Sequence, residues 1–188
     1  MLRVDVRPYD PSWERRGHAW ADEVREVLGP LALRADHIGS TAIPGMAAKA
    51  VFDLQVSVAD LDEAADAFNA PLAERGFVQR PFFQDHVPPG HPEPRERWSK
   101  RLWIRHDPSR DAVNLHVRVR GAPNERLALL FRDWFRAHPL AVPAYAQFKS
   151  LLGAALPDLM TYARIKDPVV DVVIVAAEAW ALATGWQP

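Results

Sequence analysis

The chain of 188 residues contains no cysteine, so disulfide bonds and thiolate zinc sites are excluded. The absence of cysteine is compatible with a cytoplasmic location, which we expect for this chain. The first residues, MLRVDVRPYD, lack the apolar segment that a secretory signal peptide requires. Internal repeats and low-complexity segments are also missing.

A charge excess of either sign and long apolar runs are missing too. The formal net charge is -1, whereas general nucleic-acid binders usually carry a basic excess, so we expect no nucleic-acid partner. The most apolar stretch, VVDVVIVAAEAWALATG, is interrupted by Asp171 and Glu178 and is too short to span a bilayer. We therefore expect no membrane association. The sequence does not indicate an oligomeric state.

Strand patterns with a period of two dominate the first two thirds of the chain. The clearest are VFDLQVSV and AVNLHVRVRG, in which apolar and polar side chains alternate. A hairpin around DPSRD is expected to join the second of these to WSKRLWIRH. We predict strands at 33–38, 51–58, near 77, 98–106 and 112–121, and helices at 10–29 and 60–76, capped by Asp10 and Asp60.

From Pro123 onward the apolar spacing is helical. We predict helices at 123–138, at 142–152 and from about Pro157, with a break or kink at Asp167-Pro168. The run VVDVVIV suits a strand by propensity, but its length and Ala-rich continuation favour a helix. The pattern as a whole predicts an α+β protein. We predict one domain over residues 1–188, with a mixed-sheet core at 1–121 and a C-terminal helical section at 122–188 packed on it.

The loop GSTAIPGMAAK between the first two predicted strands is rich in small residues. Gly39 permits a positive φ or a close backbone approach, and Ser40 and Thr41 offer hydroxyl groups. Consecutive backbone N–H groups in such a loop can bind an anion. The alternative is a turn that simply needs small residues. The loop is not a Walker motif, because GxxxxGK[ST] occurs nowhere in the chain.

Two predicted strands carry polar side chains that suit chemistry. Asp53 lies within an apolar strand, where a buried carboxylate is costly unless it is paired or binds a cation. The alternative is a solvated strand face shared with Gln55. His116 lies on the polar face of a later strand, so it and Asp53 share a site if the strands are neighbours. His37 precedes the loop and is a third candidate for that site.

The run HIGSTAIPGMAAKAVFDLQV, residues 37–56, resembles the signature of the GrpB family, which reads roughly HIGSTAVPGLAAKPIIDI. The segments VRPYDPSW, NLHVRV, FRDWFRAHP and YAQFKSLL, and Tyr162 with Lys166, resemble that family in the same order. The family is regarded as having the nucleotidyltransferase fold of the DNA polymerase beta superfamily. The resemblance therefore implies a nucleotidyltransferase-like mixed β-sheet flanked by helices.

By this resemblance, Gly39 and Ser40 match the phosphate-binding Gly-Ser pair, and Asp53 matches the first metal carboxylate. Gln55 stands in place of the second carboxylate, and the later strand offers His116 where a third acid is expected. The expected catalytic residues are Asp53 and His116, and the expected metal ligands are Asp53, His116 and His37. The expected phosphate- or nucleotide-binding residues are Gly39, Ser40, Thr41, Lys49, Lys149, Tyr162 and Lys166.

The expected ligand is a nucleotide or a small phosphorylated metabolite, with a divalent metal ion as cofactor. Magnesium prefers carboxylates, whereas ligation by histidine would favour manganese or zinc. Three functions stay open: a nucleotidyltransferase acting on a small-molecule acceptor, a binding module without catalysis, and a metal-dependent hydrolase that uses Asp53 with His37 and His116. For a weakened magnesium site, the substitution Gln55→Glu is expected to restore metal affinity.

Overall fold

The computed structural model describes residues 4–107, 109–156 and 158–188. Within these ranges the chain forms a five-stranded mixed sheet and five α-helices, which confirms the predicted α+β fold. The strands are β1 (Arg34–Ile38), β2 (Val51–Val58), β3 (Val78–Arg80), β4 (Lys100–Arg105) and β5 (Ala112–Val119). The helices are α1 (Ser12–Leu28), α2 (Leu61–Glu74), α3 (Pro123–Ala137), α4 (Val142–Ala155) and α5 (Leu159–Thr184).

The strand order across the sheet is β1-β2-β5-β4-β3. β2 and β5 run parallel at the centre, and the other neighbouring pairs are antiparallel. The register places Asp53 beside Asn114 and Gln55 beside His116. Because paired residues point to the same side of a sheet, these four side chains share one face. The expected proximity of Asp53 and His116 follows from this register.

The other face of the sheet is the main hydrophobic core. The alternating apolar residues of β2 and β5, such as Phe52 and Leu115, are buried there together with α1 and α2. α2 begins at its predicted cap, where Asp60 accepts a hydrogen bond from Glu63 N at 2.9 Å. α1 begins at Ser12, after Pro11, so Asp10 lies one residue before the cap position, although it still accepts a hydrogen bond from Ser12 N at 2.8 Å. A side-chain oxygen at the cap position satisfies a backbone donor that has no partner within the helix.

The polar face of β2 is covered rather than solvated. Gln55 and Ser57 are both 0% exposed, because α3 packs across this side of the sheet and α5 packs on α3. Glu125, in the first turn of α3, contacts both side chains. The alternative of a solvated strand face is therefore wrong for Gln55 and Ser57. The part of this sheet face that α3 and α5 do not cover forms a cleft.

The last helix differs from its prediction in one respect. The sequence predicts a break or a kink at Asp167-Pro168. α5 is continuous across Pro168, so the break is wrong, and the kink stays a prediction. Val170, Val173 and Ile174 pack into the apolar clusters that join α5 to α3, and these contacts hold the helix together beyond the proline. The helical interpretation of VVDVVIV is confirmed. None of the helices that the structure describes combines the length and the apolar character needed to cross a bilayer.

Two predictions fall partly on residues that the structure does not describe. Pro157, the predicted start of the last helix, and Pro108, within the DPSRD turn, lie outside the described ranges. The strands on either side of that turn, β4 and β5, pair antiparallel as predicted. The division of the chain into a core at 1–121 and a helical section at 122–188 stays a prediction.

Candidate functional site

A cleft of about 620 Å³ opens on the polar face of the sheet. Its walls come from the ends of β1 and β2, the segment 82–88, and helices α3, α4 and α5. The cleft brings together nearly all of the residues that the sequence singled out: Gly39, Ser40, Thr41, Lys49, Asp53, His116, Lys149, Tyr162 and Lys166. These residues come from separate parts of the chain between positions 39 and 166, and the fold brings them together.

Gly39 joins β1 to the loop in a way that only glycine permits. Its φ is +68°, a conformation that side chains rarely adopt. A Cβ atom at this position would lie 2.5 Å from Asp53 Oδ2, well inside contact distance. The chain then turns into a short 3-10 helix, Ser40–Ala42. Gly39 therefore lets the loop backbone lie directly against the Asp53 carboxylate.

Asp53 is held ionised by its neighbours on β5. Its Oδ1 accepts a hydrogen bond from Asn114 Nδ2 at 2.9 Å and lies 3.8 Å from His116 Nε2. Burial opposes the charge, but the contacts with His116 and Asn114 and the charge of Lys49 lower the pKa of Asp53 to about 2. Burial, opposed by Asp53 and reinforced by Arg118, lowers the pKa of His116. The pair is therefore a carboxylate beside a neutral imidazole at pH 7.

Three lysines surround the loop. Lys149 is 2% exposed, and its Nζ donates a hydrogen bond to Ser40 Oγ at 2.7 Å. Lys49 lies over the ring of Tyr162, with Nζ 5.6 Å from the ring centroid. Lys166, on α5, lines the same part of the cleft. Burial lowers the pKa of Lys149 to about 7, and the neighbouring charge of Lys166 acts in the same direction.

A charged network fills the position next to Gln55. Arg118 Nη1 donates to Gln55 Oε1 at 2.5 Å, and Arg118 Nε donates to Asp85 at 2.8 Å. Asp85 also accepts from Lys100 Nζ at 2.5 Å and from Asn124 Nδ2 at 3.0 Å. Burial would raise the pKa of Asp85, but Arg118 and Lys100 hold it well below its usual range. Asp85 therefore stays a carboxylate, paired with two cations.

Comparison with known proteins identifies the family of the chain. The GrpB protein family matches residues 3–175. The chain belongs to the GrpB family. A dephospho-CoA kinase of Mycolicibacterium paratuberculosis is 35% identical over 208 residues, which cover 100% of this chain and 50% of that protein. The UPF0157 protein PA4798 of Pseudomonas aeruginosa is 32% identical over 182 residues, which cover 92% of this chain and 66% of that protein. The chain spans about half the length of the first of these relatives.

A solved structure shares the fold. The crystal structure of the conserved protein GrpB from Enterococcus faecalis matches with a TM-score of 0.73 and covers 97% of this chain and 100% of that one. The sequence identity is 24%, so the likeness concerns the fold. The mixed sheet with flanking helices is thus the architecture that the GrpB resemblance implied.

One predicted site residue of this GrpB chain, His37, does not face the cleft. His37 is paired with Leu54 across β1 and β2 and therefore points to the core side, where it is 2% exposed and packs on Phe52. Burial lowers the pKa of His37 to about 4. Thr41 Oγ1 lies 2.8 Å from His37 Nε2 and donates to the Val51 carbonyl at 3.3 Å. The prediction that His37 shares a site with Asp53 is corrected by this placement, and the phosphate-binding role of Thr41 stays a prediction.

The side chains around Asp53 do not fit the divalent metal ion that the resemblance implies. Magnesium prefers one or two carboxylates with further oxygen ligands. The carbonyl oxygen of Gln55 is bound by Arg118, so a cationic side chain already occupies the place of a metal there. Within residues 4–107, 109–156 and 158–188, no three His, Asp or Glu side chains are grouped closely enough to hold a metal ion. No reaction step through a metal follows from this geometry.

Only one half of the Arg118–Asp85 network is indicated by the sequence. Arg118 lies on the same face of β5 as His116, and the alternation of that strand already indicates this. Asp85 lies in a segment rich in proline and histidine that has no periodicity, so its contact with Arg118 is not predictable from the sequence. The pairing of a loop carboxylate with a strand arginine appears only once the fold is known.

Proposed function

We propose that the cleft binds a nucleotide or another small phosphorylated metabolite through its phosphate groups. The observation that carries the proposal is the contact between Lys149 and Ser40, set in a loop that also presents Lys49 and faces Lys166. Cationic side chains that converge on a glycine-containing loop are the usual means of holding phosphates. The net charge of the chain is -1, so this local excess of lysine is a property of the cleft and not of the whole surface.

The names of the relatives are a second argument for a phosphorylated ligand. Several of them are named dephospho-CoA kinase, which denotes a protein that acts on a phosphorylated nucleotide derivative. Because this chain spans about half of those proteins, their activity is not transferred to it. A cleft that holds phosphates is nevertheless in keeping with that class of ligand. Dephospho-CoA therefore belongs among the compounds to be tested.

Of the three functions left open by the sequence, binding is supported best. Metal-dependent nucleotidyl transfer and metal-dependent hydrolysis both require ligands that the residues around Asp53 and Gln55 do not supply. The catalytic roles of Asp53 and His116 stay predictions. When His116 Nδ1 accepts from Arg118 Nη2, 3.5 Å away, the proton lies on Nε2 and faces Asp53. In that state the imidazole orients its neighbours and has no free nitrogen with which to act as a base.

Calorimetric titration with ATP, GTP and dephospho-CoA tests this proposal. The wild-type protein is expected to bind at least one of them, and Gly39→Val is expected to abolish binding because a side chain there displaces the loop or Asp53. The matched control is Gly45→Ala, in the same loop. Gly45 also has a positive φ, of +77°, but a Cβ there meets its nearest neighbour only at 3.6 Å.

Circular dichroism establishes whether each variant is folded. Equal loss of binding in both folded variants would show that loop strain, and not the approach to Asp53, is responsible. If the wild-type protein binds none of the three compounds, with or without magnesium, the proposal is wrong.

A further inference from the structure

Ser40 and Lys149 are arranged as a nucleophile and its base as well as a phosphate contact. Lys149 Nζ lies 2.7 Å from Ser40 Oγ, within hydrogen-bonding distance. Ser40 follows the positive-φ residue Gly39 and opens a 3-10 helix at the end of β1, so its hydroxyl stands on a sharp turn from strand to helix. Enzymes with a serine nucleophile often present it on such a turn, and a lysine serves as its base in some of them.

We propose that Ser40 is a nucleophile toward a phosphate ester or phosphoanhydride bound in the cleft, with Lys149 as its general base. This inference rests on the proposed function, because the phosphorus atom that Ser40 attacks belongs to the bound ligand. It goes further by assigning a covalent step to a cleft whose residues around Asp53 do not fit a metal ion.

A lysine acts as a base only in its neutral form, and the surroundings of Lys149 favour that form. The helix α4 buries the amine beside the ring of Tyr145, whose centroid lies 5.2 Å from Nζ. Burial is the largest cause of the lowered pKa of about 7, Lys166 and Lys49 add to it, and Asp53 opposes it. The charged and titratable groups that face Lys149 are thus Lys166 on α5, Lys49 on the loop, Asp53 on β2, and the phenols Tyr145 and Tyr162.

The proposed step conserves atoms and charge. Ser40 Oγ forms a bond to phosphorus while the bond from phosphorus to the leaving oxygen breaks. The hydroxyl proton passes to Lys149 Nζ, which then delivers it to the leaving oxygen. In a second step water attacks the phosphorus of the phosphoseryl group while the bond from phosphorus to Ser40 Oγ breaks. Lys149 accepts a proton from this water and delivers it to Ser40 Oγ, which restores the free serine and the neutral lysine. Lys49 and Lys166 take no part in these proton transfers, and they line the cleft where they can contact the phosphoryl oxygens.

Diisopropyl fluorophosphate tests the nucleophile without knowledge of the natural ligand. Attack by Ser40 forms a seryl–phosphorus bond and releases fluoride, and peptide mass spectrometry locates the adduct. The wild-type protein is expected to be labelled at Ser40, at a rate that rises with pH through about 7 and then levels off as Lys149 becomes neutral. Ser40→Ala should abolish the adduct. Ser150→Ala is the matched control, since Ser150 is an exposed serine on α4 next to Lys149.

The substitution Lys149→Arg distinguishes the two roles proposed for Lys149, as a general base and as a contact to phosphate. Arginine keeps the positive charge but does not lose its proton in proteins. In the folded variant we expect Ser40 labelling to slow by about 10²-fold, which exceeds any accompanying change in pyrophosphate affinity measured by calorimetry. Lys149→Met, which removes both functions, covers the case in which arginine does not fit.

Wild-type labelling at Ser40 no faster than at Ser150, or unchanged labelling in both lysine variants, would overturn the assignment of Ser40 as a nucleophile even where pyrophosphate binds. Labelling at Ser40 without any pyrophosphate binding would instead overturn the proposed function.

Discussion

Gln55 is the residue at which this chain departs most from a metal-dependent nucleotidyltransferase. Its amide is fully used, because Oε1 accepts from Arg118 and Nε2 donates to the Glu125 carbonyl at 3.1 Å. An acid at this position would therefore meet a guanidinium on one side and a carbonyl oxygen on the other. The environment is built for a neutral amide. This geometry argues against the expectation that a carboxylate here would restore metal affinity, which is still to be measured.

We expect Gln55→Glu to destabilise the protein and to leave magnesium affinity unchanged. The new carboxylate loses the bond to the Glu125 carbonyl and places a negatively charged oxygen against that buried carbonyl, which costs about 1–3 kcal/mol. The ion pair gained with Arg118 offsets part of this cost. Urea unfolding gives the change in the free energy of unfolding, and magnesium titration gives the affinity. A tenfold or greater gain in magnesium affinity would contradict the account. It would favour a metal-dependent nucleotidyltransferase or hydrolase instead.

The elements show how far the sequence alone could lead. The strands β2 and β5 were predictable because their apolar residues alternate, and Phe52 and Leu115 indeed face the core. The same alternation could not reveal that α3 covers Gln55 and Ser57. The sequence pattern of a polar strand face is the same whether that face contacts water or the polar end of a helix. The lysines of the cleft were identified through a family resemblance, and Asp85 was missed because its loop has no pattern.

The attachment of α3 to the sheet depends on Glu125. Its Oε1 accepts from Ser57 Oγ at 2.6 Å, and its Oε2 accepts from Gly121 N at 3.3 Å. We expect Glu125→Ala to lower the free energy of unfolding by about 1–3 kcal/mol, because buried donors lose their acceptor. Glu125→Gln is the matched control, since its amide oxygen still accepts one of the two bonds and keeps the shape. Thermal and urea unfolding measure both. Equal stability of Glu125→Ala and the wild type would show that α3 does not rely on this contact.

The stability of the whole molecule is expected to depend on pH through His37. Burial lowers its pKa to about 4 in the folded state, against an ordinary value of 6.5. Between these values the unfolded chain binds a proton that the folded chain does not, so stability rises with pH from about 4 to 6.5. The contribution of His37 is at most about 3 kcal/mol, and the lowered pKa of His116 adds in the same direction.

Urea unfolding at a series of pH values measures this dependence. His37→Gln keeps a side chain that can bond Thr41 but does not titrate, so we expect a shallower rise of stability between pH 4 and 6.5. His106→Gln, at an exposed position, is the control for the loss of a histidine. The acids with lowered pKa, Asp53 and Asp85, lose their stabilising charge only below about pH 4, outside this window. A slope in His37→Gln equal to that of the wild type would contradict the assignment.

The whole chain is nearly neutral, yet its cleft concentrates lysines around one loop. The central claim is that the part of the cleft around Ser40 and Lys149 binds phosphate, and that Asp53 and Gln55 bind no metal ion. A crystal structure of the protein with pyrophosphate and magnesium tests the claim most directly. The account predicts phosphate oxygens hydrogen-bonded to the Ser40 backbone and to Lys149, and no metal ion bound by Asp53 and Gln55. A magnesium ion ligated by Asp53 and Gln55, or pyrophosphate bound away from Lys149, would contradict it.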